Sequence, residues 1–189
     1  MASAQFLGWD YVSQGDWIGR LGSEGWCMLG TSFALVQQLP ANISSVVVTG
    51  ASTFGDAVSY SRAIQMPPSI GGRKATQWYS NTSFTMAIAA TDSAPHLLSV
   101  YGCVFANTTR KARYRLLDPS NGNAVLTSQD MPREYATVGV WGRFLFSGSV
   151  TLSVSPLTGI NPAVNGLLFD AWPGSSLAVS GNTVGHFIA

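Results

Sequence analysis

Apolar and polar residues alternate with a period of two along most of the chain, the repeat of a strand with one face buried and one wet. Residues 83–89 place Phe84, Met86 and Ile88 on one face and Ser83, Thr85 and Ala87 on the other. Residues 149–155 turn Val150, Leu152 and Val154 inward and Ser149, Thr151, Ser153 and Ser155 outward. Segments 97–105 and 138–146 are apolar or aromatic almost throughout, and 164–169 is similar with Asn165 and Gly166 as breaks. These read as strands buried on both faces. Helical periodicity is nearly absent. Only 31–39 can be read as a helix, and Pro40 and the β-branched neighbours weaken even that.

Gly, Pro, Asn and Asp punctuate the strands. In 118–123, Pro119 presets φ and Asn121-Gly122 tolerates positive φ, so this turn joins 112–117 to 124–128 as a hairpin. Ser147-Gly148 separates two strong strands so closely that it is a tight turn or a bulge. The pattern gives about ten to thirteen short strands. It predicts an all-β fold, a single two-sheet antiparallel sandwich of jelly-roll type. Residues 13–174 form the sandwich module, flanked by an N-terminal arm (1–12) and a C-terminal arm (175–189).

Composition sharpens this picture. Of 189 residues 46% are hydrophobic and 11% aromatic, which excludes a disordered chain. Only 10% are charged, where a soluble domain carries about 25%. A net charge of +1 supplies no general pull on phosphates, so nucleic acid is not an expected partner. No window reaches the roughly 18 apolar residues of a membrane span. The first ten residues lack the basic and apolar regions of a secretory signal. Cys27 and Cys103 are read as buried free thiols rather than a bridge. Sequons begin at Asn42, Asn81 and Asn107, and in a chain this rich in Ser, Thr and Asn coincidence accounts for them.

Several motifs occur in a recognisable order. Gly15-Asp-Trp-Ile-Gly19 is followed by Gly22-Ser-Glu-Gly-Trp26, then Thr76-Gln-Trp-Tyr-Ser80 and Ser83-Phe-Thr. His96-Leu-Leu-Ser-Val-Tyr101, Tyr114-Arg-Leu-Leu-Asp-Pro119, Gly139-Val-Trp-Gly-Arg-Phe144, Ser147-Gly-Ser-Val-Thr-Leu152 and Asn165-Gly-Leu-Leu-Phe-Asp170 complete the series. Together they resemble a bacterial galactose-binding-like, carbohydrate-binding-module-like β-sandwich, the kind appended to secreted multidomain proteins. The resemblance implies a jelly roll, non-catalytic binding or adhesion, and an extracellular or cell-surface setting. It also allows a structural calcium, for which Asp16 and Asp170 are the candidates because they flank the first and last motif strands, although each carboxylate reads more simply as the cap of a turn.

The chemistry of an enzyme is hard to assemble from these residues. None of the nine acids forms a local pair on a strand face, as glycoside hydrolysis would need. His96 opens a strand and His186 lies near the end, with no activated nucleophile beside either. No Cys/His cluster and no calcium-binding loop of the EF-hand type occurs. The basic run 110–115 places Lys111, Arg113 and Arg115 on one strand face, read as a solvated outer face or a charge-protected edge.

Two non-catalytic readings remain. In the first, a structural protein assembles with itself through low-charge faces and apolar arms. Phe6, Leu7 and Tyr11 lie in one arm and Val184, Phe187 and Ile188 in the other. In the second, a carbohydrate-binding or adhesion module presents exposed rings to neutral glycans. Trp17, Trp78 and Trp141 fall in the motif strands and are read as anchors, which leaves Trp9, Trp26 and Trp172 as candidate platforms. The main expectation is self-assembly, with glycan binding as its alternative.

Overall fold

A computed structural model describes residues 1–55, 60–105 and 109–173. In chain order its strands are β1 (Ser3–Asp10), β2 (Gly25–Leu29), β3 (Leu35–Gln38), β4 (Ile43–Thr49), β5 (Ser52–Phe54), β6 (Ile64–Gln65), β7 (Arg73–Lys74) and β8 (Gln77–Tyr79). They continue as β9 (Phe84–Ala90), β10 (Pro95–Gly102), β11 (Lys111–Asp118), β12 (Ala124–Asp130), β13 (Val140–Ser147), β14 (Val150–Thr158), β15 (Ala163–Val164) and β16 (Gly166–Ala171). The fold is an all-β antiparallel sandwich. A six-stranded sheet ordered β1-β13-β10-β16-β2-β3 faces a five-stranded sheet ordered β12-β11-β14-β9-β4. Two minor sheets, β15-β8-β5 and β6-β7, account for most of the strands beyond the expected number.

The alternating segments sit where their period directs them. Phe84, Met86 and Ile88 of β9 and Val150, Leu152 and Val154 of β14 all point into the space between the sheets. There they meet Leu98, Val100, Phe144 and Phe146. The hairpin between β11 and β12 forms as expected, around a 3-10 turn in which the Asp118 carboxylate accepts the Ser120 amide at 2.9 Å. Segment 31–39 is not a helix. A short 3-10 turn, Thr31–Phe33, leads into β3, whose backbone pairs with β2.

The strands expected to be buried on both faces are β10, β13 and β16, the centre of the six-stranded sheet. Their second burial comes from a covering layer. Trp17, Leu21, Ile64 and Met66 lie on the outer face of the sheet against Tyr101, Trp141 and Leu168. Polar tips fix this layer. The Trp141 indole donates to the Gln14 carbonyl at 2.6 Å, the Trp17 indole to the Gln65 carbonyl at 2.7 Å, and the Tyr101 hydroxyl to the Arg62 carbonyl at 2.7 Å. β10 stops at Gly102, short of 105, because the next amide, that of Cys103, is taken by the Asn165 side chain instead of a neighbouring strand. β13 starts at Val140 because Gly139 adopts φ +83°.

The N-terminal segment read as an arm is a strand of its own sandwich. β1 pairs with β13 along the edge of the six-stranded sheet, and the register shifts between Phe6 and Gly8. That bulge lets Phe6 and Trp9 both face inward, where the Phe6 ring lies 5.3 Å from Phe144 and 4.8 Å from Trp9. Leu7 and Tyr11 remain exposed. Val184, Phe187 and Ile188 lie outside the described residues.

Candidate functional site

The three candidate tryptophans are all half-buried, and each plays a different part. The Trp9 ring packs over Gly142, where a Cβ would come within 2.8 Å of it. It is therefore mainly an anchor for β1. Trp172 follows β16 and helps line a cleft of about 410 Å³ with Leu7, Gly8, Trp9, Asp10, Leu97 and Arg143. Trp26 belongs to a second cleft of about 310 Å³, walled by the 17–23 loop and Pro68, with its ring 6.4 Å from that of Trp17. The structure thus brings Trp9 and Trp172 to one cleft and leaves Trp26 in another.

Sequence reasoning did not single out Arg143, the polar centre of the first cleft. Its signal was present: within β13 (VWGRFLFS) it is the one charged residue in an otherwise apolar strand. Its side chain leaves the outer face of the sheet, with Gly8 opposite on β1 and Ser99 opposite on β10. Among the described residues its guanidinium makes no hydrogen bond and no contact ion pair, so its planar set of donors is open to the cleft. Asp10 stands on the same wall and is locally braced. Its carboxylate accepts the Val12 amide at 2.8 Å, the Ser13 amide at 2.9 Å and the Ser13 hydroxyl at 2.6 Å. Partial burial raises its pKa, but these hydrogen bonds and the charge of Arg143 outweigh that and hold it below the usual carboxylate range. The cleft therefore combines a donor fork, an ionised acceptor, a flat ring and the apolar side chains of Leu7 and Leu97.

The remaining candidates are engaged in holding the fold. The Asp16 carboxylate pairs with Arg73, whose other donors reach the carbonyls of Ser61 and Ala63 at 3.0 and 2.9 Å. Asp170 accepts the Ser23 amide at 2.8 Å and the Ser23 hydroxyl at 2.9 Å. The two carboxylates suggested for calcium thus serve separate links, and among the described residues no three acidic, His or Cys side chains converge on a cation site. Calcium takes six to eight oxygens, and a carboxylate already neutralised by a guanidinium fits poorly in such a shell.

Cys27 and Cys103 are free and buried, and burial pushes both thiols up to about 12. Lys111, Arg113 and Arg115 line the outer face of β11, with Arg113 held by Asp130. β11 is not an edge, since β12 and β14 flank it. His96 is buried, with Nε2 2.7 Å from Asp92 Oδ1 and Nδ1 3.2 Å from the Asn42 amide nitrogen. That contact ties down the first sequon. Asn81 is exposed, and Asn107 lies outside the described residues.

No protein-family model matches the chain, and no curated protein matches it. Solved structures do. A family 35 carbohydrate-binding module in complex with a glucuronic-acid-containing disaccharide is similar with a TM-score of 0.41 and 14% identity, over 72% of this chain and 91% of that one. A family 35 carbohydrate-binding module from Clostridium thermocellum gives 0.39 and 11%, over 68% and 93%. Another from Cellvibrio japonicus gives 0.36 and 14%, over 67% and 94%.

Proposed function

We propose that this chain is a non-catalytic glycan-binding module and that the cleft lined by Arg143, Asp10, Trp172, Leu7 and Leu97 is its site. One observation carries the reading: an open guanidinium stands beside a flat ring and an ionised carboxylate in a single concave site. A pyranose has apolar C–H faces and a rim of hydroxyls. Its face packs on Trp172 and the leucines, while its rim accepts from Arg143 and donates to Asp10. No proton transfer is required of either group. The self-assembly reading drew on low-charge faces and on both apolar arms, and the packing of Phe6 against Phe144 within the same sandwich takes that residue out of the surface it would use.

A glycan array followed by calorimetry with the best glycan tests this. Trp172→Ala and Arg143→Ala are each expected to weaken binding about tenfold or more, the loss of one stacking or charged hydrogen-bonding contact. Circular dichroism should remain that of the wild type. Array silence, or unchanged affinity in both variants, overturns the proposal.

A further inference from the structure

We infer that the second cleft, at Trp26, is an independent site for the same class of ligand, a hydroxyl-bearing sugar ring, so that one chain holds a polysaccharide at two separate points. The inference rests on the glycan reading above and adds a site to it. Strand register places both clefts on one side of the molecule. Arg143 pairs with Ser99, Ser99 with Leu168, and Leu168 with Trp26, so all four side chains leave the same face of the six-stranded sheet. Arg143 and Trp26 stand three strand spacings apart, about 14 Å at roughly 4.8 Å per step. The ground between them is closed. Ser99 and Leu168 are fully buried, and Trp17 and Leu21 of the covering layer pack in one cluster with Leu168. A Cβ on Gly22 would lie 3.2 Å from the Trp17 ring and 3.3 Å from Leu168, so the 17–23 loop sits directly on the sheet there. A wall of protein therefore separates two clefts on the same side, and each fills on its own.

The second cleft has the build of a sugar site. The half-buried Trp26 ring lines it, backed by the Trp17 ring at 6.4 Å. The loop that walls it is pinned at both ends. Gln65 Oε1 accepts the amides of Trp17 and Ile18 at 3.1 and 3.2 Å, and the Asp170 carboxylate accepts the Ser23 amide and hydroxyl at 2.8 and 2.9 Å. A preformed wall spares a ligand the cost of ordering it. Arg20 of that loop is exposed, and among the described residues its guanidinium makes no hydrogen bond and no ion pair. The cleft thus sets an aromatic ring beside a free fork of donors, as the Arg143 cleft does. No carboxylate lines it, so no charged acceptor fixes the direction of the sugar hydroxyls. It is the less selective of the two sites, and its main contribution is avidity on a polymer.

NMR titration with xylobiose, mannobiose, cellobiose and the best array glycan tests the inference. The indole N–H resonances of Trp26 and Trp172, assigned with Trp26→Phe and Trp172→Phe, report the two clefts separately. Both should move with the same sugar, each with its own midpoint. Arg143→Ala should raise the Trp172 midpoint about tenfold and leave that of Trp26 in place, and Arg20→Ala, on an exposed side chain, should do the reverse. Wild type should be retained by insoluble xylan, mannan or cellulose, and Arg20→Ala should weaken that retention about tenfold. A Trp26 resonance that stays still while that of Trp172 moves overturns the second site and leaves the single-cleft reading standing. So does a Trp26 midpoint that follows Arg143→Ala. Absence of retention, or retention that Arg20→Ala leaves unchanged, overturns the two-point hold. Movement of Trp26 alone overturns the first-cleft reading and the two-point hold with it, and if neither resonance moves both readings fall.

Discussion

The side-chain oxygen of Asn165 accepts the backbone amide of Cys103 at 2.6 Å, and both residues are fully buried. The same carboxamide donates to the Thr76 carbonyl at 2.8 Å, and the Asn165 backbone amide donates to the Tyr101 carbonyl at 2.9 Å. One side chain thus joins the end of β10 to the segment leading into β8, at the point where β15 gives way to β16. Asn165→Ala leaves a buried amide and a buried carbonyl unpaired, at about 1–3 kcal/mol for each such group. Chemical denaturation should show a loss of about 2–6 kcal/mol on that basis. Asn165→Asp should be worse, because it removes the donor and buries a charge.

Gly15 fastens the covering layer to the sheet. Its amide donates to the Ser61 carbonyl at 3.1 Å, and a Cβ there would lie 2.1 Å from the Ala63 carbonyl oxygen. The obstacle is backbone, which cannot rotate away. Gly15→Ala should cost about 2–3 kcal/mol, at the upper end for overpacking. Hydrogen exchange should show the loss concentrated in residues 13–24 and 60–75, with the strands between the sheets still protected.

The two thiols should be inert in the native protein. Burial pushes both up to about 12; for Cys103 the charge of Arg62 and a hydrogen bond with Tyr101 offset only part of that rise. At pH 8 almost no thiolate is present at either site. Labelling with a disulfide reagent is expected to be slow until denaturant is added, when both cysteines should react. Fast labelling of either one in native buffer would contradict its burial.

Asp10 makes a pH-dependent contribution. Its folded pKa is depressed, so the stability it supplies is present above its unfolded value of about 4 and is lost as pH falls through the folded value. Asp10→Asn should be less stable than wild type at neutral pH, and the gap should close in acid. If glycan binding uses the ionised carboxylate, wild-type affinity should fall over the same acid range. Thermal melts and binding titrations at matched pH values check both.

The alternating strands of the main core and their faces are legible in the local pattern. Two-residue alternation is a local property, and it placed Phe84, Met86, Ile88, Val150, Leu152 and Val154 in the core without reference to any partner. The 118–123 turn was equally legible, because Pro, Asn and Gly there fix their own backbone angles. Segment 31–39 offers only a helix pattern that Pro40 and its β-branched neighbours weaken, and the pairing decides it: β3 is a strand because β2 offers it a ladder.

Period two says which residues share a face but not what covers that face. Trp9 and Phe6 turn inward together only because β1 carries a bulge against β13. The clefts depend on tertiary structure still more. Leu7, Leu97, Arg143 and Trp172 lie far apart in the chain and meet only through the order β1-β13-β10-β16 and its register. Local residue preferences fixed the elements. Long-range hydrogen-bond pairing between strands fixed which side chains face one another, and with that where a ligand can sit.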